Sequence, residues 1–113
     1  MDCIFCQIVA GNVPSDIVYQ DEEVIAFRDI NPQAPIHLVI IPKRHITSLT
    51  QLAETEPLLI GHMVNTANQL AKKEGISEVG YRLIVNYGKD ARQEVPHLHL
   101  HLLGGRRLSG EMG

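Results

Sequence analysis

The sequence is poor in positive charge, long apolar runs, cysteine and aromatic residues. Its 10 Lys+Arg stand against 13 Asp+Glu, a formal net charge of −3, and the basic residues come at most two together, at Lys43-Arg44, Lys72-Lys73 and Arg106-Arg107. Such a surface offers no broad positive field, so neither nucleic acid nor a membrane is an expected partner. No apolar run approaches the roughly 20 residues needed to cross a bilayer. Met1-Asp2-Cys3 opens with an acid where a secretory signal carries basic charge, so the expected location is cytoplasmic. In that reducing compartment the two cysteines, Cys3 and Cys6, are expected as metal ligands or thiols rather than a disulfide. There is no Trp, aromatic residues make up 4%, and no repeat, low-complexity tract or linker divides the 113 residues, so residues 1–113 are expected to form a single domain. A domain this short buries only about two-thirds of its unfolded surface, so a dimer or a structural metal would help it.

What is present follows the periods of regular structure. Cys3 to Val9 fits a short N-terminal helix ending at Ala10-Gly11. Ile17-Val18-Tyr19 and Val24 to Phe27 flank the acidic tip Gln20-Asp21-Glu22-Glu23, as in a β-hairpin. His37 to Ile41 is a nearly continuous apolar run closed by Pro42, which suits a buried central strand. From about Glu56 to Glu74, Leu59, Met63, Ala67, Leu70 and Ala71 recur at three- and four-residue steps, with Thr55 as candidate cap and Gly75 as stop. Tyr81 to Asn86 has strand composition, and His97 to Leu103 alternates with period two before Gly104-Gly105. The predicted architecture is α+β: a five-stranded antiparallel sheet with one long helix and a short N-terminal helix.

Histidine is the excess. His37, His45, His62, His97, His99 and His101 are six of the 113 residues, and three fall within five positions. On a strand His97, His99 and His101 share one face and Leu98, Leu100 and Leu102 the other. Residues two apart on a strand are about 6.6 Å apart and residues four apart about 13 Å, so all three cannot converge on one ion with bonds of about 2.0–2.1 Å. A row of imidazoles suits an extended anionic ligand better, with one ring as neutral nucleophile and others donating to phosphate oxygens or protonating a leaving group.

Cys3-x-x-Cys6 reads as half of a tetrahedral zinc site completed by histidines, or as two inert buried thiols; the spare histidines favour the metal. Asp29 and Asn31 beside Pro32 are turn-formers, His62 is an ordinary helix residue with no assigned role, and Gly104-Gly105 is turn chemistry rather than a nucleotide fingerprint.

His97-Leu98-His99-Leu100-His101-Leu102-Leu103-Gly104-Gly105-Arg106 resembles the signature of the histidine triad (HIT) proteins. Cys3 to Ile8, Ala26 to His37 and Ile41 to His45 resemble its nucleotide-binding (Hint) branch. The resemblance implies a homodimer with a sheet continuous across the interface, and hydrolase or nucleotidyl-transferase chemistry on purine nucleoside monophosphates carrying an amine. By position it implies His99 as nucleophile, with His101 and His37 binding phosphate or assisting proton transfer. Asn86 and the loop residues Arg92, Gln93 and Glu94 would hold phosphate oxygens, Asp29 the ribose hydroxyls, and Phe5, Phe27 and Ile30 the base. Likeness to the related galactose-1-phosphate uridylyltransferases implies structural zinc on Cys3, Cys6, His45 and His97.

The chain departs from animal Hint proteins at Arg92, Glu94 and Pro96, where those have glycine, serine and tyrosine, and its tail after Arg107 lacks an aromatic end. Alternatives are a dinucleoside polyphosphate hydrolase of the same superfamily, or a non-catalytic module that binds purine nucleotide.

Overall fold

A computed structural model describes residues 3–55 and 57–111. In chain order these form α1 (Ile4–Val9), β1 (Ile17–Gln20), β2 (Val24–Arg28), β3 (Ile36–Pro42), α2 (Leu49–Thr55), α3 (Leu59–Lys73), β4 (Arg82–Ile84) and β5 (Leu100–Gly104). The strands make one antiparallel sheet in the order β1-β2-β3-β5-β4. The α+β architecture is the expected one. No helix among the described residues is long and apolar enough to cross a membrane.

The two-residue period sorts the side chains between the faces of the sheet. Val24, Ala26, Leu38, Ile40, Leu100 and Leu102 lie in one core with Met63, Ala67, Leu70 and Ala71 of α3. Ile25, Phe27, Val39 and Ile41 lie in a second core, against Ile8 and Phe5 of α1. Strand β3 is covered on both faces, which is why its sequence is apolar without alternation.

The long helix differs from expectation at its start. It begins at Leu59, with Leu58 at the cap position and no side-chain cap bond, while Thr55 ends a separate helix, α2, that sequence pattern did not reveal. Glu56, the expected first residue, lies outside the described residues. The stop is as expected: Gly75 has φ 79°. Its N–H reaches Lys72 O at 3.1 Å and that of Ile76 reaches Ala71 O at 3.0 Å, the bond pair of a Schellman turn.

The histidine-bearing strand is also shorter than expected. Leu100 pairs with Ile40, so Leu98 would pair with Pro42, which has no N–H to offer the ladder. The Leu98 N–H instead bonds Ile46 O at 2.6 Å, and His97, Leu98 and His99 precede the strand proper. Strand β4 likewise covers only Arg82–Ile84 of the expected Tyr81–Asn86. Gly104 lies inside β5, where a Cβ would come within 2.7 Å of Ile76 Cδ1, so it serves close packing as well as the turn.

Candidate active site and metal centre

The cysteine spacing becomes intelligible at the first turn of α1. Cys3 is its N-cap and Cys6 stands three residues on, with its N–H directed at Cys3 Sγ at 3.5 Å, so the two sulfurs are neighbours. Neither is in a disulfide. Two histidines from elsewhere in the chain complete the group: Cys3 Sγ lies 3.4 Å from His97 Nδ1, and Cys6 Sγ lies 3.1 Å from His45 Nδ1 and 3.6 Å from His97 Nδ1. A tetrahedral ion bonded at about 2.3 Å to sulfur and about 2.0–2.1 Å to nitrogen has sulfur–nitrogen edges of about 3.5 Å. Two of the observed separations match that figure and the third, Cys6 to His45, is about 0.4 Å shorter; all four ligand atoms lie within 4.8 Å of one another, so this donor set fits a metal ion. His97 is fully buried and its Nε2–H donates to Pro42 O at 2.9 Å, which turns the Nδ1 lone pair toward the sulfurs. Burial and the adjacent Cys3 sulfur push the Cys6 thiol up, while burial pushes His97 down.

The row of three imidazoles divides at His97. His99 and His101 lie with ring centroids 5.0 Å apart on the face away from α3, beside a cavity of about 510 Å³. His99 Nδ1 is 2.7 Å from His97 O. A carbonyl only accepts, so Nδ1 carries the proton and Nε2 of neutral His99 keeps its lone pair. Phe5 stands edge-on to His99 at 5.1 Å and to Phe27 at 5.6 Å.

The same logic assigns the neighbouring pair. Gln33 N–H donates to His37 Nδ1 at 3.0 Å, so His37 carries its proton on Nε2. That Nε2 is 2.9 Å from His101 Nδ1 and 3.3 Å from Asp29 Oδ2. His101 therefore accepts on Nδ1 and bears its proton on Nε2. Burial, followed by the neighbouring His99 and His37, pushes His101 down to about 4; burial lowers His37 as well, against the pull of Asp29. Asp29, His37 and His101 form a second group with metal-ligand spacing. The His37 Nε2 proton occupies the gap between them, so they form a hydrogen-bonded cluster in which one N–H is shared by two acceptors. Asp29 also accepts the Asn31 N–H on Oδ1 at 2.8 Å, keeping its turn-forming role.

Of the residues expected to hold a nucleotide, Phe5, Phe27, Asp29, Ile30, Asn86, Arg92 and Glu94 line the cavity with His99 and His101. Gln93 does not. Its amide accepts from Gly88 N–H at 3.1 Å and donates to Thr47 O at 2.8 Å, so it braces the loop before the histidines. Ile4, Ile8 and Val13 also form the apolar wall and were not anticipated, although the amphipathic first turn was the signal for them. His62 has a use too: its Nε2 pairs with Asp21 Oδ2 at 2.8 Å, tying α3 to the hairpin tip. Burial raises Asp21, but bonds from the Val24 N–H, Tyr19, the Glu23 N–H and His62 outweigh it and hold the carboxyl well below the usual range.

Comparison with known proteins places this geometry. A family model described as scavenger mRNA decapping enzyme C-term binding matches residues 2–112. The crystal structure of a HIT family hydrolase from Legionella pneumophila Philadelphia 1 superposes with TM-score 0.94 at 46% identity, covering 99% of this chain and 100% of that one. The chain belongs to the histidine triad (HIT) family. Among its HIT relatives, the purine nucleoside phosphoramidase of Escherichia coli (strain K12) is 49% identical over 107 residues, 95% of this chain and 90% of that protein. A Zn-bound histidine triad family protein from Mycobacterium smegmatis superposes with TM-score 0.82 at 35% identity, over 94% of this chain and 76% of its own. The HIT signature thus sits where one histidine turns to the cysteines and two face the cavity.

Proposed function

We propose that this HIT protein hydrolyses purine nucleoside phosphoramidates through a covalent nucleotidyl-histidine intermediate. The observation that carries the reading is the bond from His99 Nδ1 to His97 O at 2.7 Å, which leaves Nε2 as a nucleophile beside an apolar cavity. The E. coli relative's activity supports the substrate class. The purine lies between α1 and β2, against Phe5 and Phe27, and Asp29 accepts ribose hydroxyls. His99 Nε2 attacks phosphorus; the new N–P bond forms as the bond to the amine breaks, and the amine leaves with a proton from water at the open mouth. Neutral His101 donates its Nε2–H to a phosphate oxygen, and His37 and Asp29 hold it in that tautomer. Water then attacks phosphorus, releasing the nucleoside monophosphate and restoring His99.

Zinc is the ion proposed for Cys3, Cys6, His45 and His97, supported by the donor set and by the Zn-bound relative. Bound there it would act structurally, fixing α1 against the segment that carries the nucleophile. A homodimer is part of the same proposal: β4 is an edge strand, able to extend the sheet into a second copy.

Replacing His99 tests the chemistry. His99→Ala is expected to lower turnover of adenosine phosphoramidate about 1,000-fold or more, with thermal unfolding little changed. Intact-mass analysis of the wild type with a slow substrate should show one nucleotidyl group per chain, absent in the variant. Undiminished turnover by His99→Ala would overturn the assignment.

A further inference from the structure

A second, shallower groove of about 610 Å³ adjoins the catalytic cavity and takes no part in the steps above; Thr47, Ser48, Lys89, Arg92 and Glu94 are among its walls. Arg92 and Glu94 belong to both spaces, so they form the sill between them. Displacement at phosphorus drives the departing group away from the attacking nitrogen. A departing amine therefore leaves on the side of phosphorus away from His99, within the cavity that Arg92 and Glu94 also line.

The sill carries an unusual residue. Among the described residues Arg92 alone has positive φ without being glycine, at 62°. The turn is closed by bonds from Arg92 N–H to Lys89 O at 2.9 Å and from Gln93 N–H to Gly88 O at 3.0 Å. Glycine would adopt that conformation without strain, whereas an arginine must be held there. The side chain contributes little to holding the fold: it is 85% exposed, and its ion-pair contact with Glu94 is 3.9 Å long. Lys89 lines the same groove, so its lining carries two cations and one carboxylate together with the hydroxyl-bearing Thr47 and Ser48.

Resting on the phosphoramidate reading above, we propose that this groove is the subsite for the departing amine, and that Arg92, assisted by Lys89, selects amines that bear a carboxylate. The bond broken is the same P–N bond, and the amine again leaves with a proton from water. The guanidinium acts on the distal carboxylate of the amine, at the rim and exposed to salt.

The test compares kcat/KM for two adenosine 5′-phosphoramidates at low ionic strength, one made from β-alanine and one from its carboxamide. The wild type is expected to favour the carboxylate about three- to fivefold, the upper part of the roughly 1.4- to fivefold that an exposed ion pair supplies. Added salt should shrink the ratio. Arg92→Gly, which suits the positive φ, is expected to bring the ratio close to one without loss of thermal stability. Lys89→Ala should lower the ratio by reducing kcat/KM more for the carboxylate than for the carboxamide. A ratio near one in the wild type, or an unaltered ratio in Arg92→Gly, overturns the proposal. Unsubstituted adenosine phosphoramidate separates the two readings: if it is turned over while the ratio is flat, only the subsite fails; if none of the three compounds is turned over, the phosphoramidate reading fails and this one with it.

Discussion

One sheet presents two faces built from the same strands by residues one position apart, and they do opposite work. Under α3, Leu38, Ile40, Leu100 and Leu102 are all at or below 2% exposure and belong to one apolar core. On the other face the same strands carry His37 and His101, whose ring nitrogens are 2.9 Å apart. The first face is held by burial, which needs no direction. The second has its own apolar core, of Ile25, Phe27, Val39 and Ile41 against α1, and adds to it donors and acceptors that fix the protons of the ring nitrogens. The pleat thus confines the histidine cluster to one face, and changes on the two faces should be read by different instruments.

The largest effect should come from the proposed metal centre, where ligation would add stability to the histidine face. The double variant Cys3→Ser, Cys6→Ser is expected to lose the ion and about 4 kcal/mol of stability when free zinc exceeds its Kd a thousandfold, read by metal analysis and thermal unfolding. Turnover should fall as well, because His97 would offer its side chain to the metal while its carbonyl accepts from His99. A variant that retains equal metal would refute the site. On the opposite face, Leu102→Ala should cost about 3 kcal/mol in denaturant unfolding, with kcat of the folded fraction little altered. A selective loss of kcat there would break the separation of the faces.

Acid should distinguish the faces without mutation. His101 falls to about 4 in the folded state from its ordinary 6.5, so the unfolded chain binds more protons between those values. The stability from neutral His101 is fully present above pH 6.5 and is lost as pH falls toward 4, with a slope of at most about 1.4 kcal/mol per pH unit. The lowered His37 titrates in the same direction. Unfolding measured from pH 7 to 4 should show this slope in the wild type and a shallower one in His101→Gln. The smallest effect is expected at the rim: His62→Ala, which removes the partly exposed pair with Asp21, should cost below about 1 kcal/mol. A loss as large as that of Leu102→Ala would show that the hairpin tip belongs to the core.

Much of the fold was legible because its signals are local. Alternation along Leu98 to Leu102 and the apolar run of β3 announce one face and two faces of burial, and the Gly75 stop was found because left-handed backbone favours glycine. Helix α2 was not legible: its 7 residues are too few to display a 3.6-residue period, and it lacks a glycine stop like the Ala10-Gly11 that marked the 6-residue α1. The late start of α3 had a signal in Pro57, which disfavours helix in the residue before it. The early end of the β3–β5 ladder had one in Pro42, but only once the register opposite Leu98 is known.

At the site, the sequence by itself determined which residue types are present, which share a face, and that one strand could not bring three imidazoles to one ion. Only the tertiary structure decided which nitrogen of each ring holds a proton and which histidines meet which partners. Cys6 and His45 are 39 positions apart, Cys3 and His97 94, and His37 and His101 64. Spacing along a strand governs direction over a few residues. A tautomer is fixed by whichever carbonyl, amide or sulfur the fold delivers to the ring, and those partners come from elements that no local period connects.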